Sequence, residues 1–294
     1  MKNNKALGQI SYLIKLLTDR DEFVRSRVQE QLIDLGEDAL PFLEIAVRSG
    51  DDDLRIQANA VIQSILPQKL AEKFRQLAQK GLGQDIDLET GMMLIMEFGY
   101  PNSDPEEFRQ KLDELAQNFA DILNPEAEPP EIVAAFTHFL FQQKGFKGNK
   151  DDYQNPDNSF LNKVLDNQTG LPITLSAICV LLAKRLNLPI VGVGMPGHYI
   201  VKYSLPIEPI YFDPFHQGRL LTKKECIQIV EQFGHSFEEH FLSQATQRET
   251  LIRMLNNLIQ VYKKSNETKK AETLTKYIKI LLNPSKDQQS ERIY

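Results

Sequence analysis

Apolar residues recur at helical spacing over most of this chain and give way to three short strand-like runs only between residues 190 and 213. Leu7, Ile10, Leu13, Ile14, Leu16 and Leu17 form the first helical face. A second helix opens at Asp21-Glu22-Phe23-Val24-Arg25 and runs through Val28, Leu32 and Leu35 to Gly36, and a third runs from Ala39-Leu40-Pro41-Phe42-Leu43 to Gly50. A fourth opens at Asp52-Asp53-Leu54-Arg55 and passes Ala58, Val61, Ile62 and Ile65 before an expected stop at Pro67. Acidic residues at these starts suit the positive end of the helix dipole, and Gly and Pro supply the stops.

A further helix through Leu70, Phe74 and Leu77 ends at Gly81-Leu82-Gly83, where the spacing predicts a domain boundary. Helices are then expected over 88–98, 105–123 and 130–143, with Pro105 and Pro130 suited to first turns. Residues 145 to 158 are rich in Gly, Asn, Asp and Pro and read as a loop. A short helix over 159–165 follows, then an apolar helix opening at Leu171-Pro172 and ended by Pro189. Strands are expected at 190–194, 199–203 and 210–213, and a helix capped by Thr222 carries Cys226, Ile229 and Val230. The tail from Arg248 to Leu282 reads as a helical hairpin broken near Ser265-Asn266 and stopped by Pro284, with the last ten residues polar and frayed. The helices before residue 83 resemble HEAT-type repeats, which stack because neither helix of a pair buries its face alone. Leu255, Leu258, Tyr262, Ala271, Leu274 and Leu282 resemble one tetratricopeptide unit. The expected fold class is α+β, mostly helical, with regions at 1–83, 84–246 and 247–294.

Composition narrows the partners. A formal net charge of -6 and a pI near 5.5 give no basic excess for a phosphate backbone or an anionic bilayer, so neither nucleic acid nor membrane is expected. With only Cys179 and Cys226, no disulfide framework is implied. The opening Met1-Lys2-Asn3-Asn4-Lys5 leads into an amphipathic segment, and the apolar run over 171–183 is cut by Lys184 and Arg185. A cytoplasmic location is expected.

Chemistry concentrates between residues 170 and 216. If the second and third strands form a hairpin around Ser204 to Ile207, Tyr203 faces Glu208 and His198 faces Asp213. Facing side chains then lie about 5 Å apart, and Asp213 is able to hold the His198 ring and fix its tautomer. A His-Asp pair that only pins a turn fits the same spacing. A thiolate nucleophile is favoured at a helix N-terminus, yet the residue at that start is Pro172, which carries no nucleophilic group. Ser176 and Cys179 share its face but lie roughly 6 and 10 Å further along the axis, and Cys179 sits in an apolar run that reads as core. Asn158, Gly197 and His216 complete the expected pocket around Pro172, although the position of His216 after the Asp-Pro-Phe corner fits a surface loop as well. His235 and His240 are five apart, which does not put two ligands on one helix face, and Gly192-Val193-Gly194 lacks the third glycine of a dinucleotide loop. His138 reads as packing among Phe136, Phe139 and Phe141. No metal or cofactor is expected.

Gly-Phe-Lys-Gly-Asn (145–149), Asp152-Tyr153, Asn158-Ser159-Phe160-Leu161-Asn162, Gly170-Leu171-Pro172-Ile173-Thr174-Leu175-Ser176, Gly192-Val193-Gly194-Met195-Pro196-Gly197-His198 and Asp213-Pro214-Phe215 together resemble the SirB family, an invasion-regulator-like branch of the transglutaminase-like superfamily. The resemblance covers roughly residues 85 to 282. It implies a central helix packed on a small antiparallel sheet, with His198 and Asp213 at the superfamily's catalytic His and Asp. Aligning Gly170 and Leu188-Pro189 with the superfamily motif puts the nucleophilic Cys position at Pro172. Two functions follow. One is a noncatalytic module that binds a protein or peptide partner; the other is a hydrolase or acyltransferase using His198 and Asp213 with Ser176, Cys179 or a water as nucleophile.

Overall fold

The computed structural model describes residues 2–205 and 207–283, with side chains from residue 8 onward. The expectations about Pro284 and the polar end of the chain lie outside these residues. Two compact units divide the chain, Met1–Lys73 and Phe74–Tyr294.

The first unit contains α1 (Lys2–Leu16), α2 (Glu22–Leu35), α3 (Leu40–Val47) and most of α4 (Asp52–Lys80). Asp21 starts α2 by accepting from the Phe23 amide at 2.9 Å, and Asp51 starts α4 by accepting from Asp53 and Leu54. The inward stripes meet in one core that includes Ile10, Leu17, Leu32, Leu43, Ala58 and Val61. The expected stop at Pro67 does not occur, because α4 continues through it to Lys80. Ile65 and Leu66 before the proline and Leu70 after it are buried. That continuous apolar face outweighs the roughly 3 kcal/mol that a mid-helix proline costs.

The second unit is organised on α9 (Pro172–Arg185), which is buried on nearly every side. Against it pack α5 (Leu88–Gly99), α6 (Pro105–Ala120), α8 (Leu161–Asn167) and α11 (Gln247–Lys264), and the unit also holds α7 (Pro129–Thr137), α10 (Lys223–Gln232) and α12 (Thr268–Leu282). A π-helical turn, His138–Gln143, extends α7 and places His138 at the surface, contrary to its expected packing role. The charged end of α9 is tied down by ion pairs. Arg185 meets Glu89 at 2.7 Å and Asp113 at 2.6 Å, and Lys184 meets Asp87 at 2.9 Å, which ties α9 to α5 and α6. Asn187, with φ of 55°, turns the chain out of the helix.

The sheet has antiparallel order β3 (Ile190–Val193), β4 (Ile200–Tyr203), β5 (Ile210–Asp213) and β6 (Arg219–Leu221), with α9 against β3 and β4. A separate two-residue parallel pair, β1 (Lys147–Gly148) with β2 (Thr169–Gly170), brings the loop after α7 to the start of α9. The observed β4–β5 register pairs Tyr203 with Ile210 and Val201 with Phe212, two residues away from the expected pairing. The connection is longer than a tight hairpin allows. An even slip keeps every side chain on its expected face, and for that reason His198 and Asp213 still reach each other although they are not cross-strand partners.

Candidate functional site

Every residue of the His-Asp site is placed by a local device. Met195-Pro196-Gly197-His198 is a tight turn: the His198 amide donates to the Met195 carbonyl at 3.3 Å, and Gly197 has φ of +76°. Pro at the second position and a left-handed Gly at the third fit a type II turn. A side chain at Gly197 would also run into Phe233. On the facing strand, Asp213 ends β5 and caps the short turn Pro214–His216, its Oδ1 accepting from the amides of Phe215 at 3.0 Å and His216 at 3.3 Å.

This leaves Oδ2 of Asp213 for the two imidazoles. His198 Nε2 lies 2.7 Å from it, and His216 Nδ1 lies 2.7 Å from the same oxygen. Asp213 is 2% exposed, His198 9%, and the His216 side chain 45%, so the site opens to solvent on the His216 side. Burial by itself would raise the Asp213 pKa. The hydrogen bonds and charges of His198 and then His216 outweigh it and hold the carboxyl below its ordinary value. Phe215 stands edge-on to both imidazoles, with centroids 6.4 Å from His198 and 5.3 Å from His216. The backbone of Gly148 presses on Phe215, and Tyr153 packs edge-on to it from the loop at 5.9 Å.

The nucleophile position is the other half of the site. Leu171 is the N-cap of α9, its amide donating to the Asn158 carbonyl, and Pro172 is the first helical residue, buried. Ser176 is 0% exposed, and its Oγ donates to the Tyr199 carbonyl at 3.5 Å. Cys179 is 1% exposed, and burial pushes its thiol well above its ordinary value; Cys226 is likewise buried, and burial lifts it to about 11. Among the described residues, Asp213 is the sole side chain hydrogen-bonded to the His198 ring. The geometry therefore brings His198, Asp213 and His216 together, and among the described residues neither Ser176 nor Cys179 is hydrogen-bonded to the His198 ring.

The expected pocket residues Asn158 and Gly197 have distinct local settings. Asn158 is buried as a clasp, donating to the Asp152 carbonyl and accepting from Asn149, which folds the loop back on itself. Gly197 lines a cavity of about 560 Å³ with Met195, Phe241, Gln244 and Arg253, and neither His198 nor Asp213 lines it. Arg253 is the residue that sequence reasoning missed. From α11 its guanidinium donates to the Met195 carbonyl at 2.8 Å and the His198 carbonyl at 3.0 Å, and it lies 5.5 Å from the Tyr199 ring centroid. Tyr199 is fixed in turn by Thr250 at 2.6 Å. An arginine one position before the buried Met254 was the available signal, but a contact across 55 residues leaves no trace in local spacing. His240 is exposed and pairs with Glu238 rather than with another ligand.

A central helix feeding a His-bearing turn and an Asp-ended strand is the arrangement of the transglutaminase-like superfamily, and this chain belongs to it: the model described as "Transglutaminase-like superfamily" matches residues 106–256, just over half the chain. More particularly, it is 33% identical to a UPF0162 protein of Xylella fastidiosa over 198 residues, 64% of this chain and 69% of that protein. It is 28% identical to a UPF0162 protein of Pseudomonas aeruginosa over 170 residues, 57% of this chain and 62% of that one. It is also 28% identical to F-box only protein 21 of Mus musculus over 166 residues, 54% of this chain but 26% of that protein. No solved structure matches the chain. Among the described residues no helix is long and apolar enough to cross a membrane.

Proposed function

We propose that this protein is a noncatalytic transglutaminase-like module of the SirB-like branch, which holds a protein or peptide partner rather than turning over a substrate. The observation that carries the reading is Pro172 at the first turn of α9, the position at which the resemblance puts the nucleophilic Cys. Ser176 and Cys179 do not replace it, since both are fully buried and neither is bonded to His198. Burial also raises the Cys179 pKa, which works against the thiolate that acyl transfer requires. The partner-binding half rests on the flanking helices, HEAT-like at the start and tetratricopeptide-like at the end, both of them architectures that present extended surfaces. The mouse F-box relative supports the same view, because the matched segment is a minor part of a longer chain. A cytoplasmic setting without nucleic acid or lipid belongs to this proposal.

The test is a peptide electrophile directed at cysteine and a fluorophosphonate directed at serine, applied to native and His198→Ala protein at neutral pH. Native protein is expected to label no faster than the variant with either probe. His198-dependent labelling at Ser176 or Cys179 would overturn the proposal in favour of a hydrolase or acyltransferase. Hydrolysis of an activated ester that is lost in His198→Ala, without any labelling, would favour water as the nucleophile. In the binding arm, partners crosslinked to native protein in cells are expected to be retained by His198→Ala.

A further inference from the structure

We propose that His198, Asp213 and His216 form a binding site for one divalent transition-metal ion of the zinc type. Nε2 of His198, Oδ2 of Asp213 and Nδ1 of His216 all lie within 4.8 Å of one another, and both nitrogens point at the same oxygen. Two imidazoles and one carboxylate are a donor set suited to zinc, cobalt or ferrous iron, and three protein ligands leave positions open. This departs from the sequence-based expectation of no metal, which considered only the pair His235 and His240.

Two features make the cluster more than a hydrogen-bonded pin. The first is the division of labour within Asp213. Its Oδ1 is held by the amides of Phe215 and His216, which is the kind of supporting contact that orients a ligating carboxylate and leaves the other oxygen for the ion. The second is access. Among the described residues no Lys or Arg is paired with Asp213, and the half-exposed His216 ring gives an ion a path from solvent. Binding requires small movements. A tetrahedral ion about 2.1 Å from each donor needs donors roughly 3.4 Å apart, so Oδ2 must draw back from the two ring nitrogens, which lie 2.7 Å from it, a change the exposed His216 ring is placed to help make. The proton on His198 Nε2 moves to Nδ1, and the proton on His216 Nδ1 moves to Nε2, leaving one lone pair from each ring for the ion. The inference is independent of whether the protein binds a partner.

The experiment is competition of the chelator-stripped full chain against a chromophoric zinc chelator, with cobalt substitution as a spectroscopic readout. One ion per chain is expected, and His216→Ala and His198→Gln should each weaken binding more than about tenfold, since loss of even a supporting residue around a metal costs roughly 10–100-fold. His240→Ala should leave binding unchanged. Cobalt is expected to give visible d–d bands without the near-ultraviolet band of a thiolate ligand. The proposal is overturned by an absence of saturable one-to-one binding, by affinity unchanged in His216→Ala, by loss in His240→Ala, or by a thiolate band. His216 is exposed, so its variant keeps the fold and decides the matter if His198→Gln does not fold.

Discussion

Arg253 is the most informative residue to remove, because it links the C-terminal helical hairpin to the turn that carries His198. Its guanidinium donates to the carbonyls of Met195 and His198 and stacks over Tyr199. Among the described residues it has no carboxylate partner, and burial lowers its pKa, so the cation costs desolvation energy that its contacts must offset. Hydrogen bonds to a charged group contribute roughly 1.5–3 kcal/mol each, and the ring contact adds about 0.5–1 kcal/mol. Arg253→Met keeps the volume, relieves the desolvation and leaves two carbonyls without donors. Taking the bonds at their low end and subtracting that relief gives a net loss of about 2 kcal/mol. Amide exchange of residues 195–203, followed by mass spectrometry, should therefore speed up by about 30-fold, at 1.4 kcal/mol per factor of ten. Arg253→Lys should fall between the two, since an ammonium cannot span both carbonyls as the planar fork does. A change under about threefold in Arg253→Met, or full recovery in Arg253→Lys, would refute the clamp.

Three further outcomes follow from the same geometry. Asp213 has a folded pKa below its ordinary 3.8, so its contribution to stability is present above about pH 4 and is lost as pH falls through the lower folded value; in acid titrations followed by circular dichroism, the gap between native and Asp213→Asn protein should close below about pH 4, and a gap constant down to pH 2 would contradict the shift. Gly148→Ala should destabilise the site by about 1–3 kcal/mol, as overpacking does, because the added carbon would sit 2.3 Å from the Phe215 ring; a urea midpoint equal to the native one would mean that the ring moves freely. Glu89→Gln should cost about 1–3 kcal/mol by weakening the partly buried, two-pronged contact with Arg185, and an unchanged midpoint would assign that contact no role.

What could be read from the sequence, and what could not, divides along a physical line. Local chemistry was legible: Thr222 caps α10 through a bond from Glu225, Asn266 breaks the terminal hairpin with φ of 61°, and Pro172 opens α9, because each depends on neighbours within a few residues. Long-range placement was legible only to the parity of the sheet. The two-residue register error between β4 and β5 left the facing sides unchanged, so the His198 and Asp213 pair emerged from a pairing that is wrong in detail. Strand β6 was missed because three residues carry too little alternation, and α4 ran through Pro67 because burial on its apolar face outweighed the backbone penalty. His216 shows the same limit most clearly. Its sequence position three residues after Asp213 was plain, but its nitrogen reaches the same oxygen as His198 only because Asp213 also caps the turn that carries it. One carboxylate thus serves as turn cap with one oxygen and as meeting point of two imidazoles with the other. That double role is more than a His-Asp pair alone supplies: the carboxylate that holds its own turn also draws two imidazoles, one buried and one half-exposed, to a single oxygen.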